Sequence, residues 1–126
     1  MKESSLKGKL RRLGSTPEAI ADNLKARGIK GTGSCYSCPI ANFLAQSTKG
    51  IEYVSVGNSS TTVRVNGVWV NADLPRACSQ FVTRFDSDRP SKRYGVLRAK
   101  NWKEVQACNP IQAQNKGDYD SQGVIV

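Results

Sequence analysis

Four cysteines and no histidine set the terms for any chemistry this 126-residue chain can do. Cys35 and Cys38 form a C-x2-C pair within SCYSCPIANFL, and Cys38 stands directly before a proline that opens an apolar run. A thiol at a helix start feels the positive end of the macrodipole and its outward N–H groups, which favour the thiolate. Three roles compete for it beside that of a cap. As a nucleophile it lacks the histidine base that usually partners cysteine, and the ten acidic residues form no paired constellation that would replace one. As a redox Cys-x2-Cys-Pro centre it lacks a strand feeding straight into the helix, because the glycine-rich stretch GIKGTGS precedes it. As half of a zinc site it lacks a second pair, since Cys78 and Cys108 stand alone. The reading that needs nothing further is structural: Cys38 caps the helix and Pro39 fills its first position, where a missing N–H is no loss. Asp73-Leu74-Pro75 reads as a second use of that device. No catalytic residue, metal ligand or cofactor is assigned on this basis. A thiol, redox or metal protein using Cys35 and Cys38 stays as the least favoured alternative.

The second chemical feature is charge. The net charge is +9, and its excess is concentrated: residues 1 to 14 carry five basic side chains against one acid, and residues 89 to 103 carry six against none. In RPSKRYGVLRAKNWK the cations Arg89, Lys92, Arg93, Arg98, Lys100 and Lys103 are interleaved with Tyr94 and Trp102. Basic side chains displace counterions from a phosphate backbone, and aromatic faces stack on unpaired bases. An ordinary solvated face would intersperse acids. These eight residues, with Lys7, Lys9, Arg11 and Arg12 from the first segment, are the expected nucleic-acid contacts. GIKGTGSC, by contrast, matches neither of the common glycine-rich phosphate-binding patterns and reads as a connection.

The elements that must position these groups follow from periodicity. Residues 1 to 14 hold leucines among Ser, Gly and Lys without a sustained period and read as a basic flexible arm outside the core. Thr16-Pro17 starts a helix over 17–27, with Gly28 at its end; a second helix covers 39–47. After Gly50 the pattern alternates, and Asn66-Gly67 supplies the two positive-φ residues of a tight hairpin turn, so residues 51 to 71 read as a three-stranded antiparallel meander. Leu74, Ala77, Cys78, Phe81, Val82 and Phe85 form the apolar stripe of a third helix, expected to pack across that meander. VLRAK reads as a short strand, NWKEVQAC as a short helix, and residues 109 to 126 as a polar tail. The expected fold is a small single α+β domain over residues 15 to 108, its meander packed by about three helices.

The strings G-x2-G (Gly28, Gly31), CPIANFL and LPxxxxxFVxxFD, across residues 17 to 86, resemble small proteins of actinobacteria and their phages that carry a CPIA-type helix start. That resemblance implies a phage or mobile-element origin and brings no assigned chemistry. The N-terminus has no apolar stretch of signal-peptide length and the chain no run long enough to span a membrane, so a cytoplasmic setting with reduced thiols is expected. The function expected is a non-catalytic accessory module that binds nucleic-acid backbone. The alternative is a protein-binding module, such as a phage factor, docking on an acidic surface of a host protein.

Overall fold

The structure, a computed structural model, describes residues 1–88 and 92–113. Three helices, α1 (Glu3–Arg12), α2 (Pro17–Ala26) and α3 (Pro39–Ser47), lead into strands β1 (Ile51–Val56), β2 (Ser60–Val65) and β3 (Val68–Asp73). They are followed by α4 (Arg76–Ser87), a 3₁₀ turn at Gly95–Leu97, α5 (Trp102–Cys108) and α6 (Pro110–Ala113). The strands form an antiparallel meander in the order β1-β2-β3. At the second hairpin Asn66 and Gly67 take φ of 50° and 80°, as the dipeptide predicts. The class is α+β, and the described residues form six α-helices besides the sheet where the sequence predicts about three.

Pleating sorts the strand residues into two faces. Val54, Val56, Thr61, Val63, Val65, Val70 and Ala72 point to one core and are buried. The helices most closely against the strands are α1 beside β3 and α3 beside β1, with a smaller contact of α6 on β1, while α4 packs chiefly on α2. The third apolar stripe therefore belongs to a second layer, and most of the sheet's immediate cover comes from the two helices α1 and α3 that precede it.

One of those covers is the segment that reads as an arm. Leu6, Leu10 and Leu13, at i, i+4 and i+7, are almost completely buried, and the α1 backbone closes into a helix carrying Glu3 in its first turn and Lys9, Arg11 and Arg12 in its last. A helix of this length has little stability alone, and docking on β3 supplies what propensity does not. The far end differs from expectation too. Asn109 and Gln112 are buried and α6 extends the fold past residue 108, while residues 114 to 126 lie outside the described part of the chain.

Local signals explain the remaining ends. Thr16 Oγ1 accepts from Ala19 N at 3.1 Å and Asn101 Oδ1 from Glu104 N at 3.1 Å, closing the starts of α2 and α5. No side chain caps α4, whose N-cap is Pro75, with Asp73 ending β3. The expected strand at VLRAK is a 3₁₀ turn plus one parallel bridge between Gly31 and Arg98, fastened by Gly31 N to Leu97 O at 2.8 Å and Ala99 N to Gly31 O at 2.9 Å. Gly31 also explains its own identity. A Cβ there would come 2.5 Å from Pro39 N and 2.6 Å from Ser37 O, so glycine at position 31 is required by the close approach of the α3 start.

Candidate nucleic-acid interface

Cys38, Cys78 and Cys108 are built into the core, and Cys35 is half-buried in the loop before α3. Cys38 Sγ accepts from Ala41 N at 3.4 Å as the N-cap of α3, and the side chain is only 5% exposed. Burial pushes its pKa up to about 12, overriding the helix-start N–H groups of Ala41 and Ile40 that pull it down. The thiol is protonated at neutral pH. Cys78 is pushed up to about 12 by burial as well and donates to Leu10 O at 3.6 Å; Cys108 donates to Lys30 O at 3.3 Å. All four cysteines are free thiols, and among the described residues no three metal-ligating side chains gather.

The basic segment is taken apart by the fold. Tyr94 is not a surface ring: it is 9% exposed, meets Phe81 edge-on at 5.8 Å, donates from its hydroxyl to Glu18 Oε2 at 3.0 Å and accepts from Arg84 at 3.1 Å. Glu18 is held below the usual carboxylate range first by that tyrosine bond, with Arg84 adding an ion pair. Arg98 reaches back to the end of α4, donating to Phe85 O at 2.9 Å and Asp86 O at 3.2 Å while its guanidinium sits 4.7 Å from the Phe85 ring. It satisfies carbonyls that a helix end leaves open. Arg93 is exposed and 3.9 Å from Asp22. Lys92, Lys100 and Lys103 are exposed, Trp102 is half-buried at the first turn of α5, and Arg89 lies outside the described residues. On α1, Lys7 pairs with Glu3 at 3.4 Å, Arg11 and Arg12 are exposed, and Lys9 donates to Ser47 O and to Thr48 Oγ1. The eleven expected contacts that lie among the described residues thus divide between core, helix-end and surface positions.

A different group of residues comes together on the outer face of the sheet. Tyr53 on β1 pairs across to Arg64 on β2, and Arg64 to Trp69 on β3, so the three side chains stand side by side across the strands. Tyr53 meets Trp69 edge-on at 5.1 Å between ring centroids, Tyr36 from the preceding loop meets Tyr53 at 5.9 Å, and the Arg64 guanidinium lies 5.7 Å from the Trp69 ring. Arg64 is also 3.7 Å from Glu52, whose carboxylate accepts the Gly67 N–H of the hairpin turn. Trp69 is 55% exposed, neighbouring Val68 55% and Tyr36 45%.

Tyr36 is held from behind. Asn109 Nδ2 donates to its carbonyl at 3.3 Å and to Asn42 Oδ1 at 2.8 Å, both asparagines being fully buried, and Asn42 in turn donates to Lys30 O and Ser37 O. Val56 N donates to Cys35 O at 2.8 Å, which ties the loop to the end of β1. The signal that places Tyr53, Arg64 and Trp69 together is the strand alternation itself: with Val54, Val63 and Val70 inward, these neighbours point outward. Their exposure is a tertiary fact that the alternation does not carry.

Comparison with models of known protein families, with curated proteins and with solved structures finds no match to this chain. No helix among the described residues is long and apolar enough to cross a membrane.

Proposed function

We propose that the protein is a non-catalytic module that binds single-stranded nucleic acid on the outer face of its sheet. The observation that carries this reading is the row Tyr36, Tyr53, Trp69 with Arg64 beside it, left half open to solvent on a chain of net charge +9. Isolated exposed apolar groups are ordinary, but a row of rings in mutual contact on a sheet face that the described residues leave half open is not a packing requirement of the core behind it. Unpaired bases offer a π-face to such rings whatever their sequence, while Arg64 meets the backbone and the net positive charge of the chain attracts it from a distance. A regular duplex keeps its base faces stacked and shows only their edges in the grooves, so it has no free π-face for these rings.

The cations expected from residues 92 to 103 keep a smaller part in binding. Lys92, Lys100 and Lys103 contribute long-range attraction, whereas Tyr94 and Arg98 have structural work that removes them from contact. The buried, protonated Cys38 thiol has no part in it.

Fluorescence anisotropy with labelled oligonucleotides tests the proposal. Wild-type protein binds the single strand more tightly than the duplex. Trp69→Ala lowers single-strand affinity by about 1 to 3 kcal/mol, the worth of one stacked base, and raising salt weakens all sequences alike. Affinity indifferent to both salt and Trp69 would overturn the proposal and leave the exposed Val68 and Trp69 as a docking surface for a protein.

A further inference from the structure

The C-terminal ends of α1, α2 and α3 meet at a cleft of about 240 Å³ walled by Lys9, Arg12, Leu13, Arg27, Phe43 and Ser47. Half of these side chains are cations and none is an acid. The cleft shares no residue with the aromatic row on the sheet, so a ligand held there is independent of the function proposed above.

Lys9 and Arg27 are each held in place by side-chain hydrogen bonds. Lys9 Nζ donates to Ser47 O at the end of α3 and to Thr48 Oγ1 at 3.1 Å. Arg27, the C-cap of α2, donates from Nε to Asn23 Oδ1 at 2.9 Å, and its guanidinium lies 5.3 Å from the Phe43 ring centroid. Arg12 closes the last turn of α1. Among the described residues none of the three is in an ion pair with a carboxylate.

Helix ends account for part of this charge and not for all of it. A helix C-terminus acts as about −0.5 of an elementary charge, so three together offer about −1.5 to set against three full positive charges. An anion in the cleft, such as a phosphomonoester of about −1.5 to −2, would meet three full positive charges against the partial negative charge of the helix ends. The Lys9 pKa is lowered by burial first and then by Arg12, the like-charge crowding that an anion between them would relieve. The cleft is smaller than the roughly 300 to 1,000 Å³ of a site for a drug-sized molecule, which suits a phosphate group and a limited part of what it is attached to.

We infer that this cleft binds a phosphomonoester group through charge-assisted hydrogen bonds from Lys9, Arg12 and Arg27. Two sources share that chemistry: the terminal phosphate of a nucleic acid and a small phosphorylated molecule.

Titration of the intact protein with inorganic phosphate, followed by amide chemical shifts against sodium chloride at matched ionic strength, tests the inference. Saturable shifts are expected at residues around Arg12, Arg27 and Ser47. Arg12→Gln with Arg27→Gln, which spare the Lys9 bonds to α3, lowers the affinity by about tenfold or more, since one hydrogen bond to a charged group is worth at least that factor. Trp69→Ala leaves the phosphate titration unchanged, which separates this site from the sheet face. A parallel titration with a 5′-phosphorylated dinucleotide and its 5′-hydroxyl counterpart assigns the source. Tighter binding of the phosphorylated dinucleotide than of inorganic phosphate marks a nucleic-acid end, and equal binding marks a small phosphate. Shifts that chloride reproduces, shifts that do not saturate, or undiminished affinity in the double variant would overturn the inference.

Discussion

Tyr94 and Trp69 each sit against an arginine, yet one ring is sealed in and the other is 55% exposed. Tyr94 lies where α4 has α2 as a second layer, so its ring meets Phe81 and its hydroxyl is used up by Glu18 and Arg84. Trp69 lies on the sheet face opposite α1 and α3, and its neighbours are Tyr53 and Arg64 on adjacent strands. An aromatic ring beside an arginine is core packing in one place and accessible surface in the other. What decides is whether another layer covers the element, and charge or aromatic content along the chain does not report that.

The sharpest way to break this contrast is to truncate both rings. Tyr94→Ala removes a buried ring and leaves Glu18 and Arg84 facing each other without the phenol, and a loss of about 3 to 5 kcal/mol in unfolding free energy is expected. Trp69→Ala gives up one edge-on ring contact and is expected to cost less than about 1.5 kcal/mol. Urea denaturation of the two variants measures the difference. Equal losses would mean that Trp69 is a packing residue and that the outer face is not free to bind.

A somewhat smaller effect tests the inner side of the sheet. Leu10, fully buried on α1, is part of what makes that face unlike the outer one. Leu10→Ala is expected to destabilise by about 2 to 4 kcal/mol, whereas Arg11→Gln on the exposed side of the same helix should stay within about 0.5 kcal/mol. A Leu10→Ala protein as stable as the parent would return residues 1 to 14 to the status of an arm.

The smallest expected effect concerns the buried thiols. Cys38 and Cys78 have their pKa raised by burial to about 12, above the ordinary value of 9.0, so folding favours the neutral form. Their contribution is complete below pH 9 and is lost as pH climbs from 9 toward 12. Cys38→Ser, a good N-cap of similar size, is expected to change stability at pH 7 by no more than about 1 kcal/mol. It should also make the alkaline decline shallower than in the parent. Denaturation midpoints of both proteins at neutral and alkaline pH measure this, and an unchanged alkaline slope would contradict the burial of Cys38.

Where the chain punctuates itself, the sequence is a sufficient guide. Cys38-Pro39 marks α3 to the residue, Thr16-Pro17 marks α2, and Asn66-Gly67 fixes the hairpin, because each works through bonds within a few residues. Sequence misleads where the deciding contact is distant. Leu6, Leu10 and Leu13 have helical spacing, but only β3 gives them something to bury against. Arg98 looks like a surface charge until its reach to the end of α4 is seen. In the candidate site, alternation names Tyr53, Arg64 and Trp69 as outward neighbours, while the placement of Tyr36 depends on the buried pair Asn42 and Asn109, 67 residues apart.

The central claim is that a single strand lies across Tyr53, Arg64 and Trp69 and not along residues 92 to 103. Mapping amide chemical-shift changes on titration with a short single-stranded oligonucleotide tests it most directly. The largest changes are expected at Tyr36, Tyr53, Arg64 and Trp69, with only weak, salt-sensitive changes at Lys100 and Lys103. Large changes confined to residues 92 to 103, with the outer sheet face silent, would contradict it.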